Sequence, residues 1–316
     1  MEHKEILAKL QEKSGNSNIS FPKQICFSTE GKTLVVYVDG KGVRDNMQTD
    51  GSAFEGWAIC ILAWLPECCD RVLLKWDNPI YDINDVKAQE KHYNRFVMRA
   101  MLFEEIFDWA SIDTSKRSEI DEVKRLMPTL VVNYPKSDSK QEVADSEKID
   151  KREAKLERQI FEALKPVADH QLPVGLFNNN VLRDNAYTPR GASQIDLWQL
   201  ENGIMRIFEL KVENNDKVGI ISELLFYANT IRLLVNGTVK YPDSLKTKRK
   251  NYRHIKELSS AIEHNEINSI EAIFLNYSFH PLIEGRIDKV LSILNSGMAK
   301  ESVEFKYERV ENILSL

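Results

Sequence analysis

Two carboxylates and one ammonium are spaced so that a single β-hairpin can bring them together: Asp196, Glu209 and Lys211. Before Asn202-Gly203, Ile195 and Leu197 alternate with Asp196, Trp198 and Leu200, and the residues after the turn divide into two faces in the same way. This period of two predicts two strands. Asn-Gly favours the positive φ angles of a type I′ turn. Glu209 and Lys211 are two residues apart, so they point to one side of the return strand, with Asp196 on its partner.

This set of side chains has a chemical interpretation. Two carboxylates on adjacent strands can hold Mg²⁺ or Mn²⁺, hard cations that bind oxygen ligands, and a phosphate oxygen can complete the shell. An ammonium beside them can orient or activate a water and offset charge in the transition state. The alternative is a half-exposed strand that carries a surface ion pair. The second carboxylate, the apolar frame and the tight turn favour the site.

The order Asp196, then Glu209-x-Lys211, then a helix resembles the PD-(D/E)XK nuclease superfamily. The resemblance covers about residues 151–316. It implies an α/β fold with a restriction-endonuclease-like αβββαβ core. It also implies that Asp196 and Glu209 bind the metal and that Lys211 positions or activates the water. Ile195 stands where the family often has proline, a position that varies within the family.

The resemblance also implies an acidic residue on the helix before the strands. A stripe of Leu156, Ile160 and Leu164 predicts that helix, and Glu157 lies beside the stripe. Glu157 is therefore expected to assist the metal shell as a fourth catalytic residue. An ordinary solvated glutamate on the flank of a helix explains the pattern equally well.

A dense run of cations follows the predicted core, and it can neutralise several phosphates of a nucleic acid. A solvated surface segment is the alternative. The candidate nucleic-acid-binding residues are Lys246, Lys248, Arg249, Lys250 and Arg253.

The first part of the chain predicts a separate α/β domain, residues 1–133, in the order β-β-α-β-α-β, and Pro128 precedes its last strand, at 130–133. Ser52 is expected to cap the first helix between these strands. No catalytic motif occurs here, so recognition or regulation is the expected role. A polar, charge-rich stretch at 134–152 is interpreted as a linker to a nuclease-like domain at 153–316.

Composition sets the broad class. The 316 residues are 42% hydrophobic and 29% charged, which is typical of a globular protein. A formal net charge of −5 does not suggest wholesale coating of a nucleic acid, so binding would depend on local patches. No apolar run is long enough to span a membrane, and the first residues lack the apolar centre of a signal peptide. We therefore expect a cytoplasmic protein with reduced cysteines and no membrane partner.

These observations predict a metal-dependent nuclease that uses Mg²⁺ or Mn²⁺ to hydrolyse DNA phosphodiester bonds, in restriction, repair or defence. Two alternatives are an RNA nuclease and a catalytically inactive nucleic-acid-binding or assembly module of the same fold. A homodimer is left open.

Overall fold

The computed structural model describes residues 1–135, 151–164, 168–189, 193–211, 217–247 and 251–314, with only the backbone of 151–154. Within these ranges the chain is a mixed α/β protein, as the sequence predicts. No helix in them is both long and apolar enough to cross a membrane. The helices are α1 (His3–Ser14), α2 (Phe54–Trp64), α3 (Val86–Ile106), α4 (Arg117–Leu126), α5 (Lys151–Leu164), α6 (Gly219–Val235), α7 (Ile255–Glu263), α8 (Pro281–Glu284), α9 (Ile287–Met298) and α10 (Val310–Leu314).

The strands form three sheets in these ranges. They are β1 (Ile25–Glu30), β2 (Thr33–Val38), β3 (Arg71–Trp76), β4 (Ala110–Ile112), β5 (Leu130–Val132), β6 (Ala168–Pro173), β7 (Leu176–Asn178), β8 (Gln194–Glu201), β9 (Ile204–Lys211), β10 (Ser269–Asn276) and β11 (Val303–Arg309). The sheet orders are β1-β2-β3-β4, β11-β10-β9-β8-β6 and β5-β7.

The chain divides into two compact units whose segments interleave along the sequence, whereas the sequence predicts two consecutive domains. Unit 1 comprises Met1–Leu126, Asn215–Phe226 and Phe279–Lys300. Unit 2 comprises Met127–Asn214, Tyr227–Ser278 and Glu301–Leu316. Most of the predicted linker, residues 136–150, lies outside the described residues.

Unit 1 is built on the four-stranded sheet. β1 and β2 form an antiparallel hairpin, and β3 and β4 continue from β2 in parallel. Helices α2 and α3 connect the parallel strands, and every residue of α2 is buried. The prediction that Ser52 caps α2 is wrong: Ala53 is the N-cap residue, because a short 3₁₀ turn over Asp50–Ser52 precedes the helix.

Unit 2 is built on the five-stranded sheet. β6, β8 and β9 are antiparallel neighbours, and β10 and β11 add in parallel beyond β9. One face of this sheet carries Leu197, Phe208 and Leu210, which pack with residues of α5 and α10 into an apolar core. The strand predicted at 130–133 corresponds to β5, which pairs with β7 in unit 2.

Candidate active site in unit 2

The β8–β9 hairpin carries the three residues singled out from the sequence, and the prediction of this hairpin is confirmed. Asn202 and Gly203 have φ angles of 53° and 77°, as a type I′ turn requires. A Cβ atom on Gly203 would lie 2.4 Å from Nδ2 of Asn268, so only glycine fits this turn without displacing its neighbour. The turn fixes the register, which pairs Leu200 with Met205.

The two strands separate where the acidic residues lie. The last pair of the ladder is Leu197 with Phe208, one residue before Asp196 and Glu209. Beyond that pair, Oδ2 of Asp196 accepts a hydrogen bond of 2.8 Å from the backbone N–H of Leu210. The half-buried Asp196 side chain is thereby held against the backbone between Glu209 and Lys211.

Glu209 and Lys211 form an ion pair, in which Nζ of Lys211 contacts Oε1 of Glu209. The Glu209 side chain is 1% exposed and that of Lys211 is 12% exposed. Their contact shows that both side chains lie on the same side of β9, opposite the face where Phe208 and Leu210 meet α5. The structure therefore brings Asp196, Glu209 and Lys211 to one end of the hairpin.

The neighbouring strand adds a residue that the sequence analysis did not identify. Asn276 is the last residue of β10 and is in register with Lys211, while Phe274 is in register with Glu209. Residues in register on adjacent strands share a face of the sheet. Asn276 follows an apolar strand, and its significance could not be recognised before the pairing of β9 with β10 was known.

Glu157 lies elsewhere. Its Oε1 is 3.3 Å from Nδ1 of His170 on β6, and His170 is paired with Leu197. Leu197 belongs to the apolar face that packs on α5. Since Glu209 and Lys211 point away from that face, the structure does not bring Glu157 together with them, and the expectation that it assists their metal shell loses its geometric basis.

A second residue missed from the sequence is Asp169, which is paired with Trp198 across β6 and β8. Trp198 is two residues from Asp196, so both acids belong to the same part of the sheet. Burial raises the pKa of the Asp169 carboxyl, and its Oδ1 accepts a hydrogen bond from the backbone N–H of His170. Asp169 is thus a buried acid whose protonation is favoured by its surroundings.

One cation of the basic run approaches β6. Nη1 of Arg253 donates a 3.0 Å hydrogen bond to the carbonyl oxygen of Gln171. The pairs on either side of Gln171 are His170–Leu197 and Leu172–Ile195, so Gln171 lies across from Asp196. Arg253 therefore contacts β6, the strand next to the one that carries the predicted metal ligand Asp196.

The other cations of the basic run are Lys246, Lys248, Arg249 and Lys250. Lys246 is exposed and forms a 2.9 Å ion pair with Glu263, which raises the pKa of its ammonium group. Lys248, Arg249 and Lys250 lie outside the described residues.

The donor set fits a hard cation better than a soft one. No group of three or more His, Cys, Asp and Glu side chains suited to a metal occurs in the described ranges. Mg²⁺ does not need such a group, because it keeps several waters and takes one or two carboxylates from the protein. Asp196, Glu209 and the nearby amide of Asn276 carry oxygen atoms, the kind of ligand that Mg²⁺ and Mn²⁺ prefer.

Comparisons with known proteins identify no relative of this chain. No protein-family model matches the sequence, and no curated protein and no solved structure is significantly similar to the chain. The resemblance to PD-(D/E)XK nucleases therefore rests on the motif and on the order of the elements.

Proposed function

We propose that this protein is a metal-dependent nuclease that hydrolyses phosphodiester bonds in DNA. The observation that carries the proposal is the hydrogen bond from the Leu210 N–H to Asp196, which fixes one carboxylate against the strand segment that presents Glu209 and Lys211. Two acids can hold a metal ion, and a lysine beside them can orient a water, which are roles that metal-assisted hydrolysis of a phosphodiester uses.

The order of elements supports the same proposal. Helix α5, strands β6, β8 and β9, helix α6 and strand β10 follow one another in the chain, apart from the short β7 and α7. The four strands are neighbours in the order β6-β8-β9-β10. This is the αβββαβ succession that the family resemblance implies, so we propose a restriction-endonuclease-like core.

Each residue has a defined task in the proposed reaction. Asp196 and Glu209 would hold a Mg²⁺ or Mn²⁺ ion. When bound, that ion polarises the scissile phosphate and lowers the pKa of a coordinated water. Lys211, held by Glu209, orients the attacking water and offsets negative charge as the phosphate is attacked. Arg253, beside β6, contacts a backbone phosphate and helps to position the substrate.

Asp196→Asn and Lys211→Ala test the proposal. Asn keeps the shape of Asp and can still accept the Leu210 hydrogen bond, but it loses the charge that attracts the cation. Loss of the Lys211 ammonium removes a group of a kind commonly worth ~3 kcal/mol, or about a hundredfold in rate. We expect both variants to lose cleavage of plasmid, single-stranded DNA or both in Mg²⁺ or Mn²⁺, and to keep DNA binding.

Matched controls exist in the same unit. Lys306→Ala removes another strand lysine, which pairs with Glu271 at 2.7 Å, and Asp184→Asn alters an exposed acid. Both controls should cleave like the wild type. Cleavage of RNA but not DNA would identify an RNA nuclease instead. Binding without cleavage by folded wild type would identify a binding or assembly module.

A further inference from the structure

Asn276 carries a buried polar atom that the fold leaves without a hydrogen bond. The residue is 1% exposed, and its Nδ2 donates to the carbonyl oxygen of Ser278 at 3.4 Å. Its Oδ1 has no hydrogen-bond partner in the part of the chain that the structure describes. Burying a carbonyl oxygen without a hydrogen bond destabilises the folded protein, so a ligand for this atom would recover that free energy.

The sheet register places this atom at the proposed site. Asn276 is in register with Lys211 on the parallel neighbour of β10, and adjacent strands are about 4.8 Å apart. The alternate residues Ile273 and Leu275 belong to the apolar core on the α5 face. Asn276 therefore projects from the other face, the one on which Glu209 and Lys211 lie.

We propose that Oδ1 of Asn276 is the third protein ligand of the cation held by Asp196 and Glu209, an inference that rests on the proposed function. Amide oxygens are hard ligands of the kind that Mg²⁺ and Mn²⁺ accept. Two carboxylates and one amide give the set a charge of −2, which matches the cation. This set has two acidic residues and one amide, so it does not form a group of three or more His, Cys, Asp and Glu side chains.

The amide at this position also suits the ion pair beside it. A third carboxylate next to Glu209 would compete for Lys211, because an ammonium is attracted to any nearby negative charge. A neutral oxygen donor coordinates the cation without drawing Lys211 away from the water that it orients. Asn276 can thus bind the cation while Lys211 orients the attacking water.

The test is direct binding of Mn²⁺ to the full-length protein, measured by the electron paramagnetic resonance signal of the free ion and by calorimetry. Wild type should bind Mn²⁺ and Asp196→Asn should bind it far more weakly. Asn276→Ala should weaken binding at least about tenfold, since even groups outside the first coordination shell are worth 10–100-fold in affinity. Asn276→Asp should bind Mn²⁺ more tightly than wild type, because a carboxylate replaces the neutral oxygen.

Asn178 provides the matched control. Its Oδ1 also has no partner among the described residues, but it lies at the end of β7 in the two-stranded sheet and is half-buried. Asn178→Ala should leave Mn²⁺ affinity unchanged. Thermal unfolding of each variant establishes that it is folded, and Asn276→Asp decides the question if Asn276→Ala does not fold.

The outcomes separate the two proposals. If wild type binds Mn²⁺ through Asp196 and both Asn276 variants bind as wild type does, Asn276 is not a ligand and the proposed function stands. Equal weakening by Asn276→Ala and Asn178→Ala would also overturn the role of Asn276. If wild type shows no binding that Asp196→Asn removes, the metal site itself is wrong, and both proposals fall together.

Discussion

Both compact units contain a buried acid–base pair, and these two pairs are built differently. In unit 1, Glu55 of α2 meets Arg99 of α3, and their side chains are each 2% exposed. In unit 2, Glu209 meets Lys211 on a single strand. The first pair is held by two helices, whereas the second lies where β8 and β9 separate.

The charged groups of the pair in unit 1 make several hydrogen bonds to the protein, although the buried hydroxyl oxygen of Ser52 beside them has no partner among the described residues. Nε of Arg99 donates to Oε1 of Glu55 at 2.8 Å, and Nη2 donates to the carbonyl of Ser52 at 2.9 Å. Ser222 Oγ donates to Oε2 of Glu55 at 2.8 Å and accepts from the backbone N–H of Gly56. Buried charges arranged in this way are fully compensated and have a structural role.

The cluster in unit 2 is open by comparison. Asp196 is half-buried, and the buried Oδ1 of Asn276 lacks a partner among the described residues. A buried oxygen that accepts no hydrogen bond within the fold is available to a ligand, such as a cation. Burial of an ion pair alone therefore does not indicate function. The pair in unit 2 differs because carboxylate and amide oxygens, which can bind a hard cation, lie beside it.

The largest effect that would separate the two regions is on stability. Glu55→Ala leaves the Arg99 charge buried and uncompensated, so we expect the free energy of unfolding to fall by about 3–5 kcal/mol. Asp196→Asn should change it by less than about 1 kcal/mol, because this half-buried side chain can keep its hydrogen bond. Urea unfolding at pH 7.5 measures both values. A loss below about 1 kcal/mol for Glu55→Ala would contradict the structural role of the unit 1 pair.

A smaller effect concerns pH. His92 lies beside Arg95, whose Nη2 is 3.1 Å from Nδ1 of the imidazole. Burial, with the nearby Arg95 charge, lowers the pKa of His92 from 6.5 to about 4. Between pH 6.5 and pH 4, His92 is therefore protonated in the unfolded chain but neutral in the folded protein. The free energy of unfolding falls as the pH drops below about 6.5. The loss should reach roughly 2 kcal/mol at pH 5.

His92→Gln removes this titration, and its unfolding free energy should therefore fall less than that of wild type between pH 7.5 and pH 5. The comparison of the two proteins cancels the titration of all other groups. His264→Gln, at an exposed position, is the control and should follow wild type. Parallel curves for His92→Gln and wild type would show that the folded protein does not lower the pKa of this imidazole.

The hairpin could be predicted because its signals are local. Strand alternation and Asn202-Gly203 together determine the turn, the register and the side of β9 on which Glu209 and Lys211 lie. Strand β6 was missed because Asp169, His170 and Gln171 interrupt any apolar alternation. Its place is set by pairing with β8, a contact between residues distant in sequence.

The remaining site residues depend on tertiary structure. Asn276 reaches the site through the parallel pairing of β10 with β9, which a single sequence does not specify. Glu157 was selected because it lies beside an apolar stripe, but a stripe does not state which face of the sheet it will cover. The fold places that stripe on the face of Leu197, opposite Glu209.

The smallest expected effect follows from this placement of Glu157. Because Glu157 contacts His170 on the α5 face, Glu157→Gln should keep Mn²⁺ affinity and DNA cleavage within about threefold of wild type. It should lower the free energy of unfolding by no more than about 1 kcal/mol, the usual net contribution of one side-chain hydrogen bond. His170→Gln, which removes the other partner, should have the same small effect. A hundredfold loss of cleavage in Glu157→Gln alone, with the fold intact, would show that Glu157 acts on the substrate or the metal after all. The α5 face would then belong to the active site, and the contrast between the two faces of the sheet would be wrong.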